Sequence, residues 1–585
     1  MLYVAAFVRQ YLWWVSSGPL AWSATGILTL VCVAAWVRAR PSVEAPLPVA
    51  FWLIVGVPLG VIYALRAISP DCSFDVLAYH LFVSERGLNG LPFVAGDFFP
   101  GSPYVNPVAD MILGISRHAL GYRLGTIVNY GVLLWTGSIL FRLLRSDIVR
   151  VPVRCMAVLM ILTSETLLFE SSTYMVDLIA LPLLFEGLCI MLRQDAQRPF
   201  SGRDLIGVSL LLGAVVAIKL TSLAVALPLG LLALYRYMRH PSRARERCKA
   251  LVAALVAFAA PLAPYALFLC SETSSPLFPY HNEVFRSPYW TPDSPYDGRF
   301  GPTSGWTALL WPVISVAMPE RLWEPAFCSG RIALGVGACL VGLLVVRSKA
   351  RWQTWCMLYL ACALLWSFAV GGNLRYAMFL EAMAGLLTVT LVAHLWGAKP
   401  LLASAPRRAA AMGLCAALAA QCTLGVVYLL RHDFSGQPTL FSASSGLQEN
   451  ARLLLRDRDP CAFLPLDLKT RLESVDVWVH SCPLTTTLMV MVKPFAPVIE
   501  IVNENLFSTR EARTRYERTL ADTDGKKVYT LCLPDRLSDV HALLSRRGFD
   551  VLEVVPVTLP YYSSHGGFYV MMLRLARSTS PLPIR

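Results

Sequence analysis

Between Asp71 and Pro107 the chain reads DCSFDVLAYHLFVSERGLNGLPFVAGDFFPGSPYVNP, with two acids four residues apart and Tyr79 and His80 close behind the second. A carboxylate such as Asp75 is suited to take a proton from a hydroxyl as that hydroxyl attacks carbon. If a helix starts near Ser73, Asp75 and Tyr79 lie on one face of it. Both acids also suit the first turn of such a helix, where unpaired amides and the dipole favour Asp. That bland role fits Asp71 better than Asp75. His80 and Arg86 follow, each able to meet a phosphate oxygen or an anionic lipid headgroup.

Three more charged positions stand out against apolar surroundings. Asp177 opens the run SSTYMVDLIALPLLF, where an ionisable group is expensive and functional by default, unless Ser171, Ser172 and Tyr174 satisfy it. Lys219 interrupts GVSLLLGAVVAIKLTSLAVALPLGLLAL. Its ammonium would counter a phosphate or pair with an acid such as Asp177. Arg375, beside Tyr376 in GGNLRY, offers a rigid fork that matches phosphate; the alternative is an anchor whose stem snorkels to the interface. Glu165 and Glu170 read as loop chemistry of lower interest. Asp71, Asp75, His80 and Asp177 together would make an oxygen and nitrogen set for a divalent metal, although nothing in their spacing requires one.

These residues must be positioned by a membrane scaffold. Of 585 residues 56% are hydrophobic and 15% charged, and the mean hydropathy is +0.55, the composition of an α-helical polytopic membrane protein. About twelve spans are long enough by the roughly 20-residue criterion: Pro19 to Val37, Ala50 to Ile68, Tyr122 to Leu144, Val151 to Phe169, Tyr174 to Leu192, Leu205 to Ile218, Leu220 to Leu234, Leu251 to Cys270, Ile332 to Val346, Trp355 to Val370, Tyr376 to Leu395 and Ala409 to Leu430. The net charge of +13 comes from short basic clusters at the ends of apolar runs, which reads as topology rather than nucleic-acid binding. Every second loop is basic (38–40, 142–154, 193–203, 236–249, 347–351, 399–408), so those loops are cytoplasmic. The segments between them, 69–121, 170–173, the break at Lys219, 271–331 and 371–375, are then external. That register forces a hairpin at Lys219 and gathers the candidate residues on one face.

The rest divides simply. The N-terminal MLYVAAFVRQYLWWVSSG lacks a cleavable signal's features and reads as an interfacial aromatic helix. Trp306 to Met318 is too short to span and suits the interface or a re-entrant turn. Residues 431–585 have soluble patterning: KKVYTLCLP, FDVLEVVPVTL and GFYVMMLRLA as strands, and DRLSDVHALLSRRGF as a helix with an Asp N-cap and a Gly stop. A small external α/β domain is expected, with one disulfide allowed among Cys461, Cys482 and Cys532 if the domain is exported.

The stretch Asp75-Val-Leu-Ala-Tyr79-His80 resembles the first-loop motif of bacterial membrane glycosyltransferases of the GT-C superfamily. The Tyr174 to Asp177 helix start, the block from Ser275 to Trp290 and Asn373-Leu-Arg375-Tyr376 resemble the same group, so the likeness runs from about residue 50 to 400. It implies a GT-C-like catalytic domain (1–430) that uses a polyprenyl-phosphate-linked sugar donor, usually with inversion, at the external face of a bacterial inner membrane. Asp75 then matches the catalytic first-loop acid and Asp177 the second acid. Tyr79, His80, Lys219, Arg375, Tyr376 and Asp71 remain for donor-phosphate or substrate contacts. The acceptor would be a glycan, lipid or protein hydroxyl, as in similar members such as the protein O-mannosyltransferases and the lipid A aminoarabinose transferase. One departure is plain: the aminoarabinose enzyme's basic residue after the loop has no counterpart, because Phe98 to Tyr104 contains no Lys. Competing readings are a ligase or polymerase of lipid-linked oligosaccharides and a lipid-linked sugar flippase; the latter predicts charges near the midplane and a repeat, and no repeat of fixed period occurs.

Overall fold

The structure, a computed structural model, describes residues 1–14, 19–39, 46–67, 71, 73–99, 104–192, 200–239, 243–293, 298–324, 327, 329–346, 349–397, 405–431, 466–486, 489, 493, 495–559 and 568–578. Helix occupies each of the twelve apolar stretches. Five of these helices are continuous, long and apolar enough to cross a bilayer: Val49–Ala67, Leu124–Ser146, Leu220–Met238, Leu374–Trp396 and Arg408–Arg431. Ala244–Ala259 and Ala263–Thr273 form a sixth candidate bent by 62°. Val151–Leu162 and Arg331–Val345 are shorter. Twelve full-length spans are therefore not found among the described residues, because polar breaks divide several runs. Thr163 and Ser164, for instance, separate Val151–Leu162 from Glu165–Glu170. Exposed Leu53, Leu231, Leu255 and Leu344 point outward from the bundle, as lipid-facing residues do.

At Lys219 the backbone turns extended (φ −151°, ψ 114°), ending Gly202–Ile218 and starting the turn Leu220–Ser222 that leads into Leu223–Met238. The two helices pack on each other, so the break is the expected hairpin. Trp306 and its neighbours form the short helix Gly305–Ile314. The N-terminal helix Leu2–Tyr11 is more embedded than an interfacial helix: Arg9 Nε donates to Leu88 O (3.1 Å) and Gln10 Nε2 to Asn106 Oδ1 (2.6 Å), both residues being fully buried against the first loop.

The C-terminal part holds a five-stranded sheet of β1 (Val477–His480), β2 (Val498–Glu500), β3 (Val528–Cys532), β4 (Phe549–Leu559) and β5 (Phe568–Arg577), in the order β2-β1-β3-β5-β4. The first three strands are parallel and the last two pair antiparallel. All three strands expected from the sequence are present, and β1 and β2 are added by short buried runs. The helix Leu537–Arg546 ends at Gly548 (φ 82°), but no Asp caps it; a 3-10 turn starting at Pro534 leads in instead. Cys532 is a buried free thiol, and Cys461 lies outside the described residues, as does the rest of 432–465.

The sheet docks on the first loop through main-chain bonds. Phe98 pairs in parallel with Ile499: its amide donates to Val498 O (3.0 Å) and its carbonyl accepts from Glu500 N (3.0 Å). Beside it Asp97 accepts from Val498 N (2.7 Å), from Val94 N and from Arg86 Nη1 (3.1 Å), while Arg86 Nη2 donates to Ala496 O (2.9 Å). Arg86 is thus buried under the sheet and meets neither headgroup nor phosphate. Leu77 and Phe82 of the loop join Trp478, Val498 and Met489 in one apolar cluster. Removing one member of a buried ion pair strands the other charge, at about 3–5 kcal/mol. Asp97→Ala should lower the thermal midpoint steeply, and Asp97→Ala with Arg86→Met should recover part of that loss. Equal midpoints for the single and double variants would show that the pair does not hold the sheet to the loop.

Candidate active site

The loop helix begins at Phe74 and runs as a π-helical turn over Val76–His80, in which Leu81 N reaches back to Val76 O. Such wide turns recur at functional sites. This one brings Asp75 and Tyr79 toward the same side. Asp75 keeps 22% of its side chain exposed and accepts from Arg375 Nη1 at 2.5 Å. Arg375, almost fully buried, also lies 3.6 Å from Asp177, whose other oxygen holds Lys219 Nζ at 3.0 Å. Four charges from four distant parts of the chain therefore alternate in sign, Asp75, Arg375, Asp177, Lys219. Tyr376 lies between the two cations, its ring 5.3 Å from Lys219 Nζ and 5.3 Å from the Arg375 guanidinium. Tyr79 lies within electrostatic reach of Asp75, Arg375, Tyr376 and Asp177.

Each member is held by backbone devices. Arg375 follows the turn Gly371-Gly372-Asn373, in which both glycines have positive φ. Asn373 Oδ1 caps Arg375 N (2.9 Å), Trp311 Nε1 donates to Gly372 O (2.9 Å) and Trp366 Nε1 to Asn373 O (2.7 Å). The backbone of this Arg is thereby fixed, and its buried guanidinium lies against Asp75 and Asp177 rather than snorkelling. Asp177 starts a 3-10 turn whose Leu178 amide donates to Glu170 Oε2 (3.0 Å), and Asn129 Nδ2 holds the preceding link at Thr173 O (2.9 Å) and Met175 O (3.0 Å). Asp71 is spent on structure: Oδ1 accepts from Ser73 N (3.0 Å) and Ser73 Oγ (2.7 Å), and Oδ2 from Tyr174 N (2.7 Å). It thereby ties the loop that carries Asp75 to the link that carries Asp177.

Several residues were missed or misjudged from the sequence. Glu165 and Glu170 are fully buried rather than in open loops. Glu165 lies 3.7 Å from Arg331, and Ser329 Oγ bonds Glu381 Oε1 at 3.2 Å beside them. Glu324, from the loop 271–331, lies within electrostatic reach of Arg375 and Asp75. Asp110 receives His80 Nδ1 at 2.6 Å. None of these five acids lies in a recognisable motif, and Asp110, Glu324 and Glu381 are revealed by the fold alone. In the external domain Thr486, His480 and Glu500 form a hydroxyl–imidazole–carboxylate chain, but all three are buried and Thr486 also donates to Pro483 O (2.8 Å), so the chain staples the sheet. Among the described residues no group of three or more His, Cys, Asp or Glu is placed to hold a metal; Asp71 is held by Ser73 and Tyr174, His80 meets Asp110, and Asp75 and Asp177 share Arg375.

The chain is similar to the crystal structures of ArnT from Cupriavidus metallidurans in the apo state (12% identity, TM-score 0.48) and bound to undecaprenyl phosphate (12% identity, TM-score 0.49), in each case over 89% of this chain and 97% of that one. At these values the likeness assigns neither residues nor activity to this chain. No family model and no curated protein matches the sequence.

Burial alone would raise the Asp75 carboxyl; Arg375 foremost, with His80 and Lys219, outweighs it and holds the group at about 2. A carboxyl depressed in the folded state adds stability above its ordinary value near 4, and that stability fades as pH falls toward 2. The drop corresponds to about 2 kcal/mol at roughly 1.4 kcal/mol per unit. Wild-type protein should therefore lose its thermal advantage over Asp75→Asn between pH 4 and pH 2. A midpoint difference that stays constant across that window would show that the ion pair contributes nothing.

Proposed function

We propose that this chain is a membrane glycosyltransferase that moves a sugar from a polyprenyl-phosphate-linked donor to a hydroxyl of a glycan, lipid or protein acceptor at the external face of a bacterial inner membrane. One observation carries the reading: two acids and two cations alternate at the end of the helical bundle, beneath an external domain clamped to the loop that supplies Asp75. Two acids serve proton removal and sugar positioning, and two cations serve a phosphate.

With no donor present the charges neutralise one another, and Asp75 at about 2 is a weak base. A donor phosphate competes with the carboxylates for Arg375 and Lys219, because a guanidinium fork matches phosphate as well as it matches carboxylate. When Arg375 turns to the phosphate, Asp75 loses the partner that depresses it and becomes a competent base. The acceptor oxygen then attacks the anomeric carbon and its proton passes to Asp75. The bond from that carbon to the phosphate oxygen breaks, its electron pair staying on the phosphate between Arg375 and Lys219. Asp177 holds the sugar, and the displacement is direct and inverting, with no covalent sugar-enzyme intermediate.

Asp75→Asn should cut transfer by about 10²- to 10⁴-fold, the usual worth of a general base, while undecaprenyl phosphate binding persists. Arg375→Lys should weaken lipid-phosphate binding by about tenfold through loss of the fork, the cost of roughly one charge-assisted bond. The assay is the mass of the new glycoconjugate formed by membranes with and without the protein. Full activity in Asp75→Asn overturns the assignment of the base, and release of polyprenyl diphosphate instead of monophosphate favours a ligase that moves a glycan in one block.

A further inference from the structure

His80 stands out because only half of its imidazole is used. Its Nδ1 lies 2.6 Å from Asp110 Oδ1, whereas Nε2 is buried with no hydrogen-bond partner among the described residues, in a side chain only 1% exposed. An unmet buried polar atom is costly and calls for an explanation. His80 follows Tyr79, whose ring lies 4.3 Å from its own, and its charge is felt at Asp75 and Asp177. Asp110 in turn feels Lys219. The imidazole therefore borders the alternating charges, and the charged and titratable groups around it are Asp110, Asp75, Asp177, Lys219, Tyr79 and, beyond Asp110, Tyr265.

The chemistry of the pair defines what Nε2 offers. A buried pair is least costly when its net charge is zero. For His80 and Asp110 that state has one proton shared between Nδ1 and the carboxylate and a second proton on Nε2, wherever the shared proton sits. Nε2 is then an N–H donor with no acceptor in the protein, and its natural complement is an anionic oxygen.

We propose that Asp110 is a positioning residue that fixes His80 so that Nε2–H bonds a phosphate oxygen of the lipid-linked donor, supplying a contact that the Lys-free stretch after the loop leaves open. This rests on the glycosyltransferase reading. The bond steadies the oxygen that takes the electron pair when the sugar leaves, without itself moving a proton. Neither residue reacts with the sugar.

The test is binding of undecaprenyl phosphate to the full-length purified protein in nanodiscs, followed between pH 5.5 and pH 8.5. Wild type should bind, with affinity falling once Nε2 loses its hydrogen. Asp110→Asn should weaken binding about tenfold at neutral pH and displace that fall along the pH axis, since Nδ1 then faces a neutral amide in place of a carboxylate. His80→Ala should weaken binding similarly and remove the pH dependence. His80→Gln, whose amide donates without titrating, should bind better than His80→Ala and show a flat profile; it also separates a lost bond from a lost fold. A merely structural Asp110 would lower the thermal midpoint and leave the pH profile where it was, which overturns the inference. Unchanged affinity in Asp110→Asn and His80→Ala also overturns it and leaves the glycosyltransferase reading standing. Failure of the wild type to bind the lipid phosphate at all overturns both.

Discussion

Everything at the external end of this bundle depends on the buried contact between Arg375 and two carboxylates. A guanidinium removed from water is tolerable only if its partners are close and well aimed, and here Asp75 stands at 2.5 Å and Asp177 at 3.6 Å. Each carboxylate comes from a segment that would otherwise be free to move: the first external loop and the break before the helix at Leu181. Arg375 therefore does two things. It neutralises the site when empty, and it fixes the relative position of two segments about a hundred residues apart in sequence. The surrounding bonds then follow as supports, with Trp311 and Trp366 on the arginine's turn and Asp71 between the two acidic segments.

Such an arrangement is expensive when empty, and that suits a site for an anionic ligand. The same alternation holds the Asp75 carboxyl at about 2, a poor base, so in the proposed mechanism proton removal would wait on phosphate arrival. Lys219 fits the same logic, since its pairing with Asp177 is what an ammonium at a helix break needs until a phosphate replaces the acid. The pairing is what the structure shows, and the proposed mechanism makes it and the phosphate role two states of one residue.

Much of this was legible in the sequence because membranes make charges rare. Asp177, Lys219 and Arg375 each interrupt or flank a long apolar run, and the alternation of basic loops put them with Asp75 on one face before any coordinate was known. What could not be read was the pairing itself, which depends on how helices far apart in the chain pack. Asp110, Glu324 and Glu381 were invisible for a related reason: they lie in loops or helix starts of ordinary composition, and their importance comes only from what stands opposite. Helix fills each of the twelve apolar stretches, but a hydropathy window sees through polar breaks that the backbone does not ignore, as at Thr163 and Ser164. Arg86 was misread as lipid-facing because its true partner, Asp97, belongs to a turn whose purpose is visible only with the external sheet in place.

That sheet deserves a mechanistic place of its own. It does not merely cover the bundle: Phe98 adds a rung beside β2, and the turn Pro483–Thr485 packs on the π-helical turn Val76–His80. The loop carrying Asp75 is thereby held from above by backbone hydrogen bonds and from below by Arg375. A π-helical turn is a strained choice for a loop, and one gripped on both sides can persist where an isolated one would relax to an α-helix, rotating Tyr79 and His80 out of register with Asp75. The sheet's simplest contribution is therefore geometric: it holds the first loop in the wide turn that sets Asp75 against Arg375, Tyr79 within reach of both and His80 against Asp110.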